Sequence, residues 1–163
     1  MRKYLAAVFM LLAFTSAAFS HTAGFDDVDR ASLIKSALAV QKNSYAPYSH
    51  FNVSAAVLCS SGKVYTGVNV ENASYASSLC SIRNAVFHAV AEGERVIRAV
   101  AVIGGANHVA TEYAAPCGIC LQVMREFGNP KNVLVIMAKS ENDYIEMTLE
   151  QLFPVSFGPE FLK

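Results

Sequence analysis

Three cysteines have the type and spacing of ligands for a single metal ion. Cys80 stands in "SSLCSIRNAVFHAV", and Cys117 and Cys120 stand in "APCGICLQV". All three fall at predicted helix starts, where unpaired N–H groups and the helix dipole favour thiolates. Three thiolates on Zn²⁺ would leave a fourth tetrahedral position open, which is typical of a catalytic site and not of a closed structural one.

Arg83 is the expected charge partner of this cluster. A zinc ion held by three thiolates carries a net charge of −1. Arg83 lies one helical turn from Cys80 and could offset that charge by donating hydrogen bonds to sulfur.

The same cysteines also permit readings without a metal. A single C-x-x-C is weak evidence, because redox pairs and disulfides share it. After export, Cys117 could bridge to Cys120, and Cys59 to Cys80. Cys59 lies on the inward row of a predicted strand, so an inert buried thiol is the favoured expectation for it.

The first 20 residues, "MRKYLAAVFMLLAFTSAAFS", have the pattern of a signal peptide cleaved after Ser20. The alternative is an uncleaved anchor, although the apolar stretch from Tyr4 to Phe19 is short for a membrane span. The expectation is a secreted or periplasmic protein with one domain at residues 25–163. Cleavage would change the formal net charge from 0 to −2, which excludes a nucleic-acid partner held by bulk charge.

Apolar periodicity predicts the order α-β-β-α-β-α-β-α. Helices are expected at about 27–42 and 79–92, the second capped by Ser78, at "GICLQVMREF" ending at Gly128, and at "TLEQLFP". Strands are expected at "FNVSAAVLC", "KVYTGVNV", "RAVAVIGG" and "KNVLVIMA". This order predicts a mixed sheet with helices on both faces.

Four segments resemble the small zinc-dependent cytidine deaminases. They are "YAPYSHFNVSAAVL", "GVNVENASYASSLCSIRNAVFHAVAEGER", "PCGICLQVMREF" and "LFPVSFGP", which together extend from about Tyr45 to Pro159. The resemblance implies a three-layer α/β/α fold with a mixed sheet of about five strands. It also implies hydrolytic deamination of cytidine or deoxycytidine, a Zn²⁺ cofactor and a homo-oligomer, tetramer or dimer.

The resemblance assigns roles only where residues match. Cys80, Cys117 and Cys120 match the zinc ligands, and Phe51 matches an aromatic residue that packs on the pyrimidine. Asn69 and Glu71 match the pair that holds the ribose hydroxyls. Phe157 resembles a residue that reaches a neighbouring subunit's site. Without the resemblance, these last four are ordinary core, turn and surface residues.

The chain departs from the pattern at the general acid and base. The family has a glutamate two residues after the first cysteine, and this chain has Ile82. That glutamate is not a ligand but transfers protons during deamination, so no residue is assigned a catalytic role here. Losing such a group typically costs about 10²–10⁴ in rate. Ile82 instead continues a helical apolar stripe.

One substitute for the missing acid stays open, since Glu92 and Glu94 lie about 15 Å further along the same helix. Glu71 is expected to face the sugar, and Glu112 lies in a loop before Pro116 and is the one open candidate. The sequence thus predicts a zinc protein with strongly impaired or absent deamination. The alternative is a secreted pseudoenzyme that binds nucleosides or serves as a scaffold without turnover.

Overall fold

The structure is a computed structural model that describes residues 22–162. The predicted signal peptide at residues 1–20 lies outside the described residues. Within residues 22–162, no helix is both long and apolar enough to cross a membrane.

A five-stranded mixed sheet forms the middle layer. Its spatial order is β2-β1-β3-β4-β5. β3 and β4 pair in parallel, and the other neighbours pair antiparallel. The strands are β1 (Phe51–Cys59), β2 (Val64–Val68), β3 (Ile97–Ala106), β4 (Leu134–Ser140) and β5 (Asp143–Thr148).

Helices cover both faces of the sheet, which confirms the predicted three-layer α/β/α fold. Helix α1 packs on one face, in an apolar cluster with alternate residues of β1, β3 and β4. Helices α2, α3 and α4 pack on the other face. The helices are α1 (Arg30–Val40), α2 (Ser81–Ala91), α3 (Gly118–Phe127) and α4 (Leu149–Leu152).

Two predicted helix starts need correction. Helix α1 begins at Arg30 and not near residue 27, because Asp29 is its cap and accepts a hydrogen bond of 3.0 Å from the N–H of Ser32. Ser78 does not cap α2, because Cys80 occupies that position. The Ser78 hydroxyl accepts from the N–H of Asn72 instead.

Strand β5 is absent from the order read off the periodicity, and it carries a buried ion pair. Glu146 of β5 accepts from Arg30 of α1, with Nε 2.6 Å from Oε2. The Arg30 and Glu146 side chains are only 7% and 3% exposed. Arg30 also donates to the carbonyls of Phe25 and Val28, and the N–H of Thr22 donates to Glu146. This pair ties the start of the described chain and α1 to the last strand.

Candidate metal centre

Cys80 is held at the N-terminus of α2, close to the sheet. It is the helix cap, with extended backbone at φ −78° and ψ 156°. Gly67 of β2 permits the close approach, because a Cβ there would stand 2.6 Å from the carbonyl oxygen of Ser81 and 2.4 Å from the nitrogen of Ala85. The first turn of α2 therefore lies directly on β2, and this contact fixes where Cys80 can sit.

Cys117 caps α3 and follows the 107–116 loop, which crosses β3 at two glycines. A Cβ on Gly105 would stand 1.9 Å from a carbonyl oxygen of the loop. A Cβ on Gly104 would stand 2.5 Å from the Cβ of Ala114. Only glycine leaves room for this crossing, which brings the end of the loop to the start of α2.

The three sulfurs meet where these helix starts converge. The Sγ atoms of Cys80, Cys117 and Cys120 all lie within 4.8 Å of one another, and Cys117 Sγ is 3.2 Å from Cys120 Sγ. Zinc–sulfur bonds of about 2.3 Å bring three sulfurs this close together around one ion. The cluster could therefore hold a metal ion.

A disulfide explains the cluster less well than a metal does. The sulfurs of Cys80 and Cys120 are in contact, but their Cα atoms are 7.4 Å apart, wider than the roughly 4.4–6.8 Å that disulfides usually span. The bridges considered from the sequence are wrong, since Cys59 and Cys117 are free in the structure. Cys59 is buried, and burial raises the pKa of its thiol to about 11.

Arg83 contacts the cluster directly. Its Nε donates to Cys80 Sγ over 3.2 Å, and its Nη2 donates to the carbonyl of Ser78 over 3.1 Å. The second bond holds the guanidinium in place beside the sulfur. A thiolate at Cys80 thus has both the α2 N-terminus and a fixed cation next to it, and both favour the charged form.

A cavity of about 310 Å³ opens at the three sulfurs. Its lining is mostly apolar and contains no Asp, Glu, His, Lys or Arg side chain among the described residues. Thirteen residues line it: Ser49, Phe51, Val53, Asn69, Cys80, Ser81, Ile82, Val102, Ala114, Ala115, Pro116, Cys117 and Cys120.

Ile82 forms part of this wall and of the protein core at once. It is 2% exposed and packs in the apolar cluster between the sheet and α2. That cluster also contains Cys120, Val102 and Met137. The residue in the position of the acid is therefore a buried hydrocarbon in contact with the cavity.

Phe51, the first residue of β1, and Asn69, which directly follows β2, line the same cavity. The Asn69 amide donates to the carbonyl of Phe51 and accepts from the N–H of Val53, both over 2.9 Å. These bonds fix its orientation, and each amide atom keeps one further hydrogen-bonding position. Asn69 is thus held rigidly and can still bind a ligand hydroxyl.

Glu71 lines an adjoining cavity of about 370 Å³, which shares Ser49 with the first. Its carboxylate accepts from the Ser49 hydroxyl and from the N–H groups of Tyr48 and Ser49 at 2.9 and 3.1 Å. The Ser49 hydrogen bond is the main reason that the pKa of Glu71 lies below its ordinary value. Glu71 is therefore an ionised, anchored carboxylate outside the cysteine cavity.

Glu112 and Phe157 lie away from the sulfurs. Glu112 is exposed in the 107–116 loop and is not among the cavity residues. Phe157 is 56% exposed in the C-terminal segment and stacks on Phe161 with ring centroids 5.3 Å apart. Its carbonyl accepts from Gln122 of α3 over 3.0 Å.

Ser49 is one of the site residues that sequence reasoning missed. It links the two cavities, yet a serine in "YAPYSHF" has no chemical signal of its own. Ala114 and Ala115 were missed for the same reason, because only the path of the loop over β3 brings them to the site.

Comparison with known proteins identifies the family. Residues 28–137 match the model of the cytidine and deoxycytidylate deaminase zinc-binding region. The chain is 39% identical to a cytidine deaminase of Halalkalibacterium halodurans over 133 residues, which are 82% of this chain and 97% of that protein.

Solved structures agree in fold. A cytidine deaminase from Burkholderia pseudomallei superposes with a TM-score of 0.69 at 41% identity, covering 77% of this chain and 97% of that one. One from Mycobacterium tuberculosis gives 0.68 at 34% identity, covering 81% and 99%. The sulfur donors and the helix N-termini described above suit the zinc ion for which the family model is named. The chain belongs to the cytidine and deoxycytidylate deaminase family and contains its zinc-binding region.

Proposed function

We propose that this protein is a zinc-binding member of the family that accepts pyrimidine nucleosides but deaminates cytidine and deoxycytidine very slowly or not at all. One observation carries the proposal: within residues 22–162, no carboxylate or imidazole lines the cavity at the three sulfurs. Hydrolytic deamination needs a group there that moves protons.

Cys80, Cys117 and Cys120 would hold the zinc. When bound, zinc would act as a Lewis acid that lowers the pKa of a water molecule to near neutrality. Phe51 would pack on the pyrimidine ring, and Asn69 would bind a ribose hydroxyl. The apolar wall would keep bulk water from the base.

Glu71 would bind the sugar from the adjoining cavity. Three hydrogen-bond donors already hold its carboxylate, and they favour its charged form. An ionised carboxylate with a lowered pKa is a good hydroxyl acceptor and a poor proton shuttle.

Proton transfer is the missing function. Deamination requires that a proton leave the attacking water, that the ring nitrogen gain one and that the amine leave protonated. Ile82 has no group that can do this. Glu112 does not substitute for it, since it is exposed outside the cavity. The expected loss is about 10²–10⁴ in rate.

The test compares three proteins: the parent, Ile82→Glu and Ile82→Gln. Zinc content and conversion of cytidine to uridine are measured on the same samples. We expect about one zinc per chain in all three, negligible turnover in the parent and in Ile82→Gln, and at least about 100-fold faster turnover in Ile82→Glu. Gln matches Glu in size and polarity, so it isolates the proton transfer.

Ordinary turnover by the parent, on the order of 1–10³ s⁻¹, would refute the proposal. Equal activation by Gln and Glu would show that polarity, and not proton transfer, was missing. A parent without zinc would refute the assignment of the three cysteines.

The alternative function is an exported pseudoenzyme that binds nucleosides or serves as a scaffold. The anchored Asn69 and Glu71 favour binding over a scaffold role, because each is held by hydrogen bonds and lines a cavity, of about 310 Å³ for Asn69 and about 370 Å³ for Glu71. Calorimetry with cytidine and uridine separates the alternatives, since a scaffold binds neither. Sedimentation of the parent and of Phe157→Ala tests the homo-oligomer, and localisation of a tagged full-length chain tests export.

A further inference from the structure

We infer that Tyr113 is a positioning residue for the metal centre, because its phenol ties the 107–116 loop to the β4–β5 hairpin and thereby fixes Cys117. The inference rests on the proposed role of the three cysteines as zinc ligands. It goes beyond that role in assigning a function to Tyr113, Asp143 and Lys139, which do not line the cavity at the sulfurs.

The contacts of Tyr113 bridge distant parts of the chain. Its hydroxyl donates to Oδ1 of Asp143, the first residue of β5. Lys139 of β4 places its Nζ 4.0 Å from the centre of the Tyr113 ring, within the range of a cation–π contact. Asp143 and Ser140 pair at the tip of the same hairpin, so both partners of Tyr113 belong to one element.

The chain between Tyr113 and Cys117 transmits this restraint. Only Ala114, Ala115 and Pro116 separate them, and all three line the cavity. Pro116 has a fixed φ and restricts the residue before it, so this segment has little freedom to absorb a shift. Ala114 is further confined by its contact with Gly104.

The contacts of Tyr113 with Asp143 and Lys139 restrain the loop more than they stabilise the whole fold. Tyr113 is only partly buried, and hydrogen bonds and charge contacts near water contribute little to stability. Contacts other than those of Tyr113 hold most of the backbone of the sheet and of α3. Loss of the phenol should therefore appear in the metal geometry while the unfolding temperature stays nearly unchanged.

The test uses the zinc-loaded parent, Tyr113→Phe, Asp143→Ala and the double variant. Tyr113→Phe keeps the ring beside Lys139 and removes only the hydroxyl. Zinc transfer to a chromogenic chelator gives the dissociation rate, and the cobalt-substituted proteins give a sulfur-to-metal absorption spectrum. Tyr45→Phe, at a tyrosine that is 56% exposed and does not line the cavity at the sulfurs, is the matched control.

We expect zinc to dissociate about tenfold faster from Tyr113→Phe and from Asp143→Ala, which is the size of effect seen when a residue supporting a metal ligand is lost. The cobalt spectrum should change in both. The double variant should be no worse than either single variant, because both remove one interaction.

Parent-like zinc dissociation and cobalt spectra in both single variants would overturn the inference while leaving the zinc assignment intact. Additive effects in the double variant would also overturn it. A parent that binds no zinc would remove the zinc assignment and this inference together.

Discussion

Arg83 donates a hydrogen bond from its Nε to the Sγ of Cys80, 3.2 Å away, across the first turn of α2. This bond places a permanent cation against one sulfur of a cluster that would have a net negative charge with zinc. The strength of metal binding should therefore depend on a residue that is not a ligand.

Replacing Arg83 by Ala should weaken zinc binding about tenfold, because supporting hydrogen bonds tune the sulfur and hold it in place. Competition against a calibrated chelator measures the change. Arg95→Ala is the control, since Arg95 donates to the backbone carbonyls of Val90 and Glu94 and contacts no sulfur among residues 22–162. Equal affinity in Arg83→Ala and the parent would show that the bond is incidental.

Two glycine substitutions should differ clearly in their effect on stability. Gly105→Ala places a Cβ 1.9 Å from a backbone oxygen of the 107–116 loop, so we expect a loss of about 3 kcal/mol in unfolding free energy. Gly118→Ala, between two of the cysteines, meets nothing within 4 Å and should change stability by no more than about 0.5 kcal/mol. Urea unfolding of the zinc-loaded proteins measures both, and a tolerated Gly105→Ala would contradict the close crossing.

The buried pair of Arg30 and Glu146 should make the protein sensitive to acid. Burial alone would raise the pKa of Glu146, but the hydrogen bonds from Arg30 and Thr22 outweigh it and lower the pKa below 4.5. The stabilisation is therefore present above pH 4.5 and is lost as the pH falls through the lower, folded-state pKa.

Arg30→Met should destabilise the fold by about 3–5 kcal/mol at pH 7, because it leaves Glu146 buried without its partner. Adding Glu146→Gln should recover much of that loss. Thermal unfolding between pH 3 and pH 7 should show a flatter acid dependence in the double variant than in the parent. If the double variant and the parent lost stability equally as the pH falls, the Arg30–Glu146 pair would not be the cause of the acid sensitivity.

The cysteines should differ sharply in reactivity. With a pKa of about 11, only about one in a thousand Cys59 thiols is ionised at pH 8, and the side chain is buried. In the metal-free protein, iodoacetamide should modify the exposed Cys117 first and Cys59 only after unfolding. Mass spectrometry of peptides measures the order, and early labelling of Cys59 would refute it.

The helices and strands that could be predicted from the sequence are those marked by a pattern within their own residues. Alternate residues of β1 from Ala55 to Cys59 lie in the core cluster beneath α2, as expected, and Gly128 ends α3. Strand β5 was missed because Glu146 breaks its apolar pattern, and its charge is matched by Arg30, 116 positions earlier. Arg30 and Glu146 meet only in the folded protein, so no local pattern reveals that the two charges are paired.

The metal site divides in the same way. Cys80, Cys117 and Cys120 are recognisable by type and spacing. Ser49 and the Tyr113–Asp143 bond were not predictable, because sheet register and loop path bring those residues together and no local pattern marks them.

Ile82 and Cys120 belong to the same buried cluster that holds α2 and α3 on the sheet. The same side chains therefore line the cavity at the sulfurs and form part of the hydrophobic core. Introducing a carboxylate at Ile82 would place a charge inside this core, so a variant that deaminates quickly should also unfold more easily.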